Sequence, residues 1–170
     1  MDSGFDLVAA TMPAASTETM DRAGRAAVKY NNSLGITAWM DPAANGAPGE
    51  AVFNIKPTEK TVGVLPVYRD LARDGELTAH VAALQVVNPR STPADLEVIE
   101  KVRQQFQSIP NLTLPGIKVF ADGVIEFPAQ SAALLENYKN SHKPGELLID
   151  PKHFGELVSA ADARGWPVSY

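Results

Sequence analysis

Cysteine is absent from the 170 residues, which excludes a disulfide framework, a thiolate nucleophile and any cysteine-ligated metal. Histidine is scarce: His80, His142 and His153 are the three in the chain, far apart and never in a His-x-His pair. There is no basic run, and a formal charge of −5 with a pI near 5.2 argues against non-specific nucleic-acid binding. No apolar run is long enough to span a membrane, and no basic, apolar leader opens the chain. The expectation is a cytoplasmic protein without a membrane partner. Gly-rich phosphate cradles, serine nucleophile elbows and EF-hand loops are also missing, as are repeats and low-complexity tracts.

What remains is ordinary for a globular protein: 45% hydrophobic and 21% charged residues. The length fits a single domain with a sizeable core. Its most informative stretch is Gly116-Ile117-Lys118-Val119-Phe120-Ala121-Asp122-Gly123. Alternation sends Ile117 and Val119 to one face and Lys118 and Phe120 to the other. Both faces are largely apolar, as in a parallel strand covered on both sides. A buried ammonium there needs a partner or must lose its charge; the plainer reading is a lysine that snorkels to water. Asp122-Gly123 turns the chain at the strand's carboxyl end, where parallel α/β folds carry their chemistry.

In chain order, residues 1–15 form a lead-in with no assigned structure, containing the apolar run Leu7-Val8-Ala9-Ala10. Ser16 caps a helix with Met20, Ala23, Ala27 and Tyr30 on its apolar face, ending at Leu34-Gly35. A strand over Ile36–Met40 stops at Asp41-Pro42. The loop from Asp41 to Lys60 has no readable chemistry. Leu65, Tyr68, Leu71 and Ala72 mark a second helix closed by Asp74-Gly75. Leu77–Val87 reads as one strand containing a packed His80. Thr92-Pro93 opens a third helix running to about Ser108, and 111–115 reads as a connection to the lysine strand. Past Gly123 comes a long loop with a short helix at Ala132–Leu135. Asp150-Pro151 caps a last helix that ends at Gly165, before a strand over 166–170. His142 and His153 read as surface residues, Tyr138 and Trp39 as core. The alternation predicts βα units around a parallel sheet. It begins on a helix without its preceding strand and stops inside a strand, as a segment of something larger would.

Four groups of residues appear in a recognisable order: Leu34–Asp41, Asp74-Gly75-Glu76-Leu77, Ile117–Glu126 and Ala132–Tyr138. Together they resemble the middle of amidohydrolase family 3, metal-dependent hydrolases on a (β/α)8 barrel. The resemblance runs from about Ser16 to Tyr170. It implies a partial (β/α)8 TIM barrel: an α/β fold with about four parallel strands, the second to fifth of the barrel, and outer helices. The whole chain, 1–170, would be that single partial-barrel domain. It also implies that Lys118 matches the fourth-strand lysine, whose carbamate bridges two divalent, zinc-like metals in complete enzymes. Water activated by those metals attacks an amide or related C–N bond of a small-molecule substrate. On this alignment Asp122, Glu126 and Asp41 become candidate substrate-binding residues. For Asp41 a turn residue before Pro42 is an equal reading, and for Glu126 a solvated loop charge is the other.

The departures are as informative. The family's His-x-His pair is lacking, and the chain ends short of the histidines and the aspartate that follow later strands. One lysine cannot hold a metal, and without metal its carbamate has little support. The expectation is therefore an ordinary amine at Lys118, no cofactor in this chain, and no catalysis by the chain alone. Exposed strand edges at both ends predict a homo-oligomer. The alternatives are a stand-alone, non-catalytic α/β binding or interaction domain, and a site completed in trans by another polypeptide.

Overall fold

The computed structural model of the chain describes residues 8, 11–47 and 55–170. Most of the lead-in, and residues 48–54 of the loop after Asp41, lie outside the described residues. Helix α1 spans Thr17–Ser33, with the Ser16 side chain accepting from the Thr19 amide at 3.1 Å. It ends at Leu34, followed by Gly35 with φ +76°, the left-handed turn a glycine tolerates. Val28 is its buried residue and Met20 packs beside it. Tyr30, expected on the apolar face, is exposed.

Strand β1 (Ala38–Asp41) leads to α2 (Leu65–Arg73), which buries Leu65, Val67 and Leu71. The strand expected over Leu77–Val87 is broken: β2 covers His80–Ala83 and β3 covers Gln85–Val87. Helix α3 (Asp95–Phe106) starts two residues later than Thr92-Pro93 suggests. Asp95 accepts from both the amide and the hydroxyl of Thr92, so the capping residues act through a preceding turn. A short strand, β4 (Leu112–Thr113), occupies the expected connection before β5 (Ile117–Val119). Helix α4 (Pro151–Asp162), capped by Asp150, then precedes β6 (Val168–Ser169).

Among the described residues the strand pairings are all parallel, in two three-stranded sheets ordered β1-β2-β4 and β3-β5-β6. The division has a local cause. Ala82 pairs with Thr113 and Gln85 with Ile117, so Ala83 and Leu84 face three residues, Leu114, Pro115 and Gly116. An extra residue on one strand is a bulge, and Pro115 has no N–H to give the ladder. Gly116 is needed here for a second reason: a Cβ would collide with the Pro167 carbonyl beside β6.

On the other side of the break, Leu84 donates to the Asp41 carbonyl (2.8 Å) and accepts from the Ala44 amide (3.1 Å). Beyond it the Asn45 side chain stands in for a strand. Its amide nitrogen donates to the Val86 carbonyl at 3.0 Å, and its oxygen accepts from the Val86 N–H at 2.7 Å. Asn45 is 1% exposed and Val86 fully buried, so both backbone groups depend on this one amide.

Two apolar clusters sit between strands and helices. One joins α1 and α2 to Val81, Ala83 and Leu112; the other joins α4 to Ile117 and Val119. Helix α3 serves both, giving Val102 and Phe106 to the first and Leu96 and Ile99 to the second. Among the described residues nothing packs on the opposite face of β1 and β2, where Met40 is 58% exposed. His80 also lies on that face, exposed rather than packed, because alternation gives the core Val81 and Ala83 instead.

The expected helix at Ala132–Leu135 does not form. Its amides are committed elsewhere: Ala132 donates to Val124, Ala133 to the Asp122 carboxylate and Leu134 to Pro144. The Ser131 carbonyl, the acceptor for a first helical turn, takes the Glu146 amide instead (3.4 Å).

Replacing Asn45 with alanine strands two buried backbone groups. The expected loss is about 2–4 kcal/mol of folding stability, read as a lower urea midpoint; a change below about 1 kcal/mol would mean that water substitutes for the amide.

Candidate functional site

Lys118 lies mid-strand in β5, level with Val86 on one side and Ser169 on the other. Ile117 and Val119 point into the cluster formed with α3 and α4, so Lys118 faces away from the helices. It is half-buried. Its ammonium stands 5.1 Å from the centroid of the Phe120 ring, two residues on and on the same face. A cation over a ring face is an attractive contact, and among the described residues the amine has no ion-pair partner.

Asp122 is half-buried just past β5, its carboxylate accepting from the Ala133 amide at 3.0 Å. The segment it anchors is ordered by its own hydrogen bonds. Leu148 donates to Ala121 across its base (2.8 Å), and the buried Tyr138 donates its hydroxyl to Ala132 (2.9 Å). Glu126 is exposed on this loop beside Ile125 and Phe127, which are exposed as well. Lys118, Asp122 and Glu126 thus follow one another from the strand into one closed loop.

Asp41 belongs elsewhere. Trp39 and Asp41 sit on the face of β1 turned to the helices, opposite Ala38 and Met40. The Asp41 carboxylate accepts from the Ala43 amide at 3.1 Å, the turn expected before Pro42, and from the Tyr68 hydroxyl of α2 at 2.9 Å. The Trp39 indole donates to Tyr68 at 3.5 Å, making a relay from Trp39 through Tyr68 to Asp41. Burial, and then the charge of Asp41, raise the Tyr68 hydroxyl above its ordinary range. The structure does not bring Asp41 to Lys118. Tyr68 was legible only as an apolar helix residue, since nothing in the spacing says that α2 lies across β1.

The histidines do not converge. His142 is exposed with φ +54°. His153 is half-buried rather than fully at the surface, its Nε2 2.6 Å from the Ser91 carbonyl, which requires a proton on that nitrogen. Among the described residues no group of three or more His, Cys, Asp or Glu could hold a metal ion. Lys118 with its aromatic neighbour is a poor donor set for a divalent cation, so the residues present do not fit a metal by themselves.

No protein-family model matches the chain, and no curated protein matches it significantly in sequence. Two solved structures are similar in fold. One, described as an uncharacterized metal-dependent hydrolase from Pyrococcus horikoshii OT3, superposes with a TM-score of 0.62 at 21% identity over 91% of this chain. The other, described in the same words and from Pyrococcus furiosus, gives 0.56 at 24% identity over 85%. The chain spans about a quarter of each, 27% and 26% of their lengths. It therefore shares its fold with a section of proteins described as metal-dependent hydrolases. Among the described residues, no helix is long and apolar enough to cross a membrane.

The Tyr68 shift has a sign that can be tested. Its proton is held more tightly in the folded chain than in the unfolded one, where the phenol titrates near 10. The associated stability is complete below that pH and is lost as pH rises towards the folded value. Denaturant midpoints of the wild type should fall above pH 10, and Tyr68→Phe should fall less steeply while losing about 1 kcal/mol at neutral pH. Parallel slopes for the two proteins would reject the assignment.

Proposed function

We propose that the chain is a four-strand section of a (β/α)8 barrel of the amidohydrolase type, resembling amidohydrolase family 3, and is not catalytic by itself. The observation that carries this reading is the position of Lys118. It lies mid-strand, turned from the helices, with Asp122 and Glu126 following into a closed loop at the strand's carboxyl end. That is the end where parallel barrels carry their chemistry. The strand paths support it: β1, then β2 with β3, then β4 with β5, then β6, each parallel to the next with a helix between. The similarity to sections of two proteins described as metal-dependent hydrolases points the same way.

In this reading the parent chemistry is hydrolysis of an amide or related C–N bond of a small molecule at a divalent metal, with donors supplied from outside this chain. Lys118 would be the one contribution from these residues to the metal, and Asp122 and Glu126 would border the substrate. Asp41, facing α2, is left out of that group. By itself the chain keeps Lys118 as an amine.

Self-association belongs to the same proposal. Among the described residues β1 and β6 are edge strands of their sheets, and Met40 leaves apolar surface on β1. Unpaired edges of this kind pair readily with another copy. A monomer would favour the second reading, a non-catalytic α/β binding domain.

Metal analysis by mass spectrometry and light scattering on one sample test both statements. The expected result is an oligomer carrying well under one metal per chain. A stoichiometric metal that Lys118→Ala removes would overturn the claim that the chain is incomplete.

A further inference from the structure

The cavity between α1, α2 and the end of β1 takes no part in the hydrolase reading. Its volume is about 390 Å³, within the range of small-molecule sites. Helices α1 and α2 touch closely at Gly24 and Val67, and the cavity opens beside that contact. Met20 and Ala23 of α1 line one wall and Val67 of α2 another; Trp39, Tyr68 and Asp41 also line it.

Thr19 and Asn31 of α1 also reach the cavity; the rest of the lining is apolar except at that last group. Among the described residues Asp41 is the one charged group in it, and no cation pairs with its carboxylate. A carboxylate offers about four lone-pair positions; Ala43 and Tyr68 occupy two. The rest remain for a donor arriving through the cavity. Beside them stand the indole of Trp39 and the phenol of Tyr68, whose ring faces attract cations. An anion would be repelled by Asp41, and a neutral apolar molecule would leave its charge uncompensated against an apolar wall.

We propose that this cavity binds a small organic ammonium ion with an apolar tail. The ammonium sits against Asp41 and the rings of Trp39 and Tyr68, and the tail lies along Met20, Ala23 and Val67. The site does not depend on the hydrolase reading, because it shares no residue with Lys118, Asp122 or Glu126.

The probe is 2-phenylethylammonium, with 2-phenylethanol as the neutral isostere. Binding is followed by calorimetry and by the indole N–H signals in NMR. The chain has two tryptophans, and Trp166 lies away from the cavity, buried between Arg103 and Arg164. The ammonium should move the Trp39 signal, leave Trp166 in place, and bind about tenfold more tightly than the alcohol. Asp41→Asn should erase that preference. Ala23→Phe, at an exposed helix position, should fill the cavity and abolish binding with an unchanged circular dichroism spectrum. Equal affinity for amine and alcohol would overturn the proposal. So would no binding to the wild type, or a dimer whose contact covers Trp39 and excludes the amine.

Discussion

The amide of Asn45 joined to the backbone of Val86 is the contact on which the two sheets depend. β1 stops at Asp41 because Pro42 follows, and the next residues must satisfy strands that continue without it. Leu84 uses the backbone of Asp41 and Ala44; Val86 uses a side chain. A side-chain amide carries the same donor and acceptor as a peptide group, so it can extend a ladder where the main chain has turned away. Across β2 and β3, the bulge at Leu114-Pro115-Gly116 makes the matching adjustment. The strand path therefore bends at one level on both sides. Helix α3 spans the bend and feeds both apolar clusters, which ties the two sheets together.

Polar contacts then fix how the helices lie. Arg25 of α1 reaches Asp21 on its own helix and Asp74 and Glu76 just past α2. These groups, Asp21 first, hold the guanidinium above its usual range, and Arg25 in turn lowers Asp74. Exposed pairs of this kind contribute little energy singly. They link α1 to the turn after α2. At the far end, Trp166 packs under Arg103 at 4.5 Å and Arg164 at 5.8 Å, holding the end of α4 and the approach to β6 against α3.

One face of the sheets is filled by helices, while among the described residues the other is uncovered over β1 and β2. Lys118 belongs to the second face and Asp41 to the first. Two residues that a linear reading places in one site are thus divided by the strands themselves. The division separates a barrel-type reading built on Lys118 from a cavity built on Asp41.

The sequence by itself determined the four long helices and their alternation with strands, the caps at Ser16 and Asp150, the helix-ending turn at Gly35, and the alternation that sets Lys118 apart from Ile117 and Val119. Each rests on interactions within a few residues: a side chain reaching its own helix, a φ that only glycine tolerates easily, a period of two. The tertiary structure decided what those local rules leave open. It split the strand at Leu84, since the bulge lies far along the chain, around Pro115. It kept Ala132–Leu135 out of a helix, tying the segment to Val124, Asp122, Pro144 and Glu146. It exposed His80 by choosing which face of β2 the helices cover. It also joined Tyr68 to Asp41, 27 residues apart. In each case the deciding partner is distant in the chain, and propensity and periodicity carry no information about which distant groups will meet.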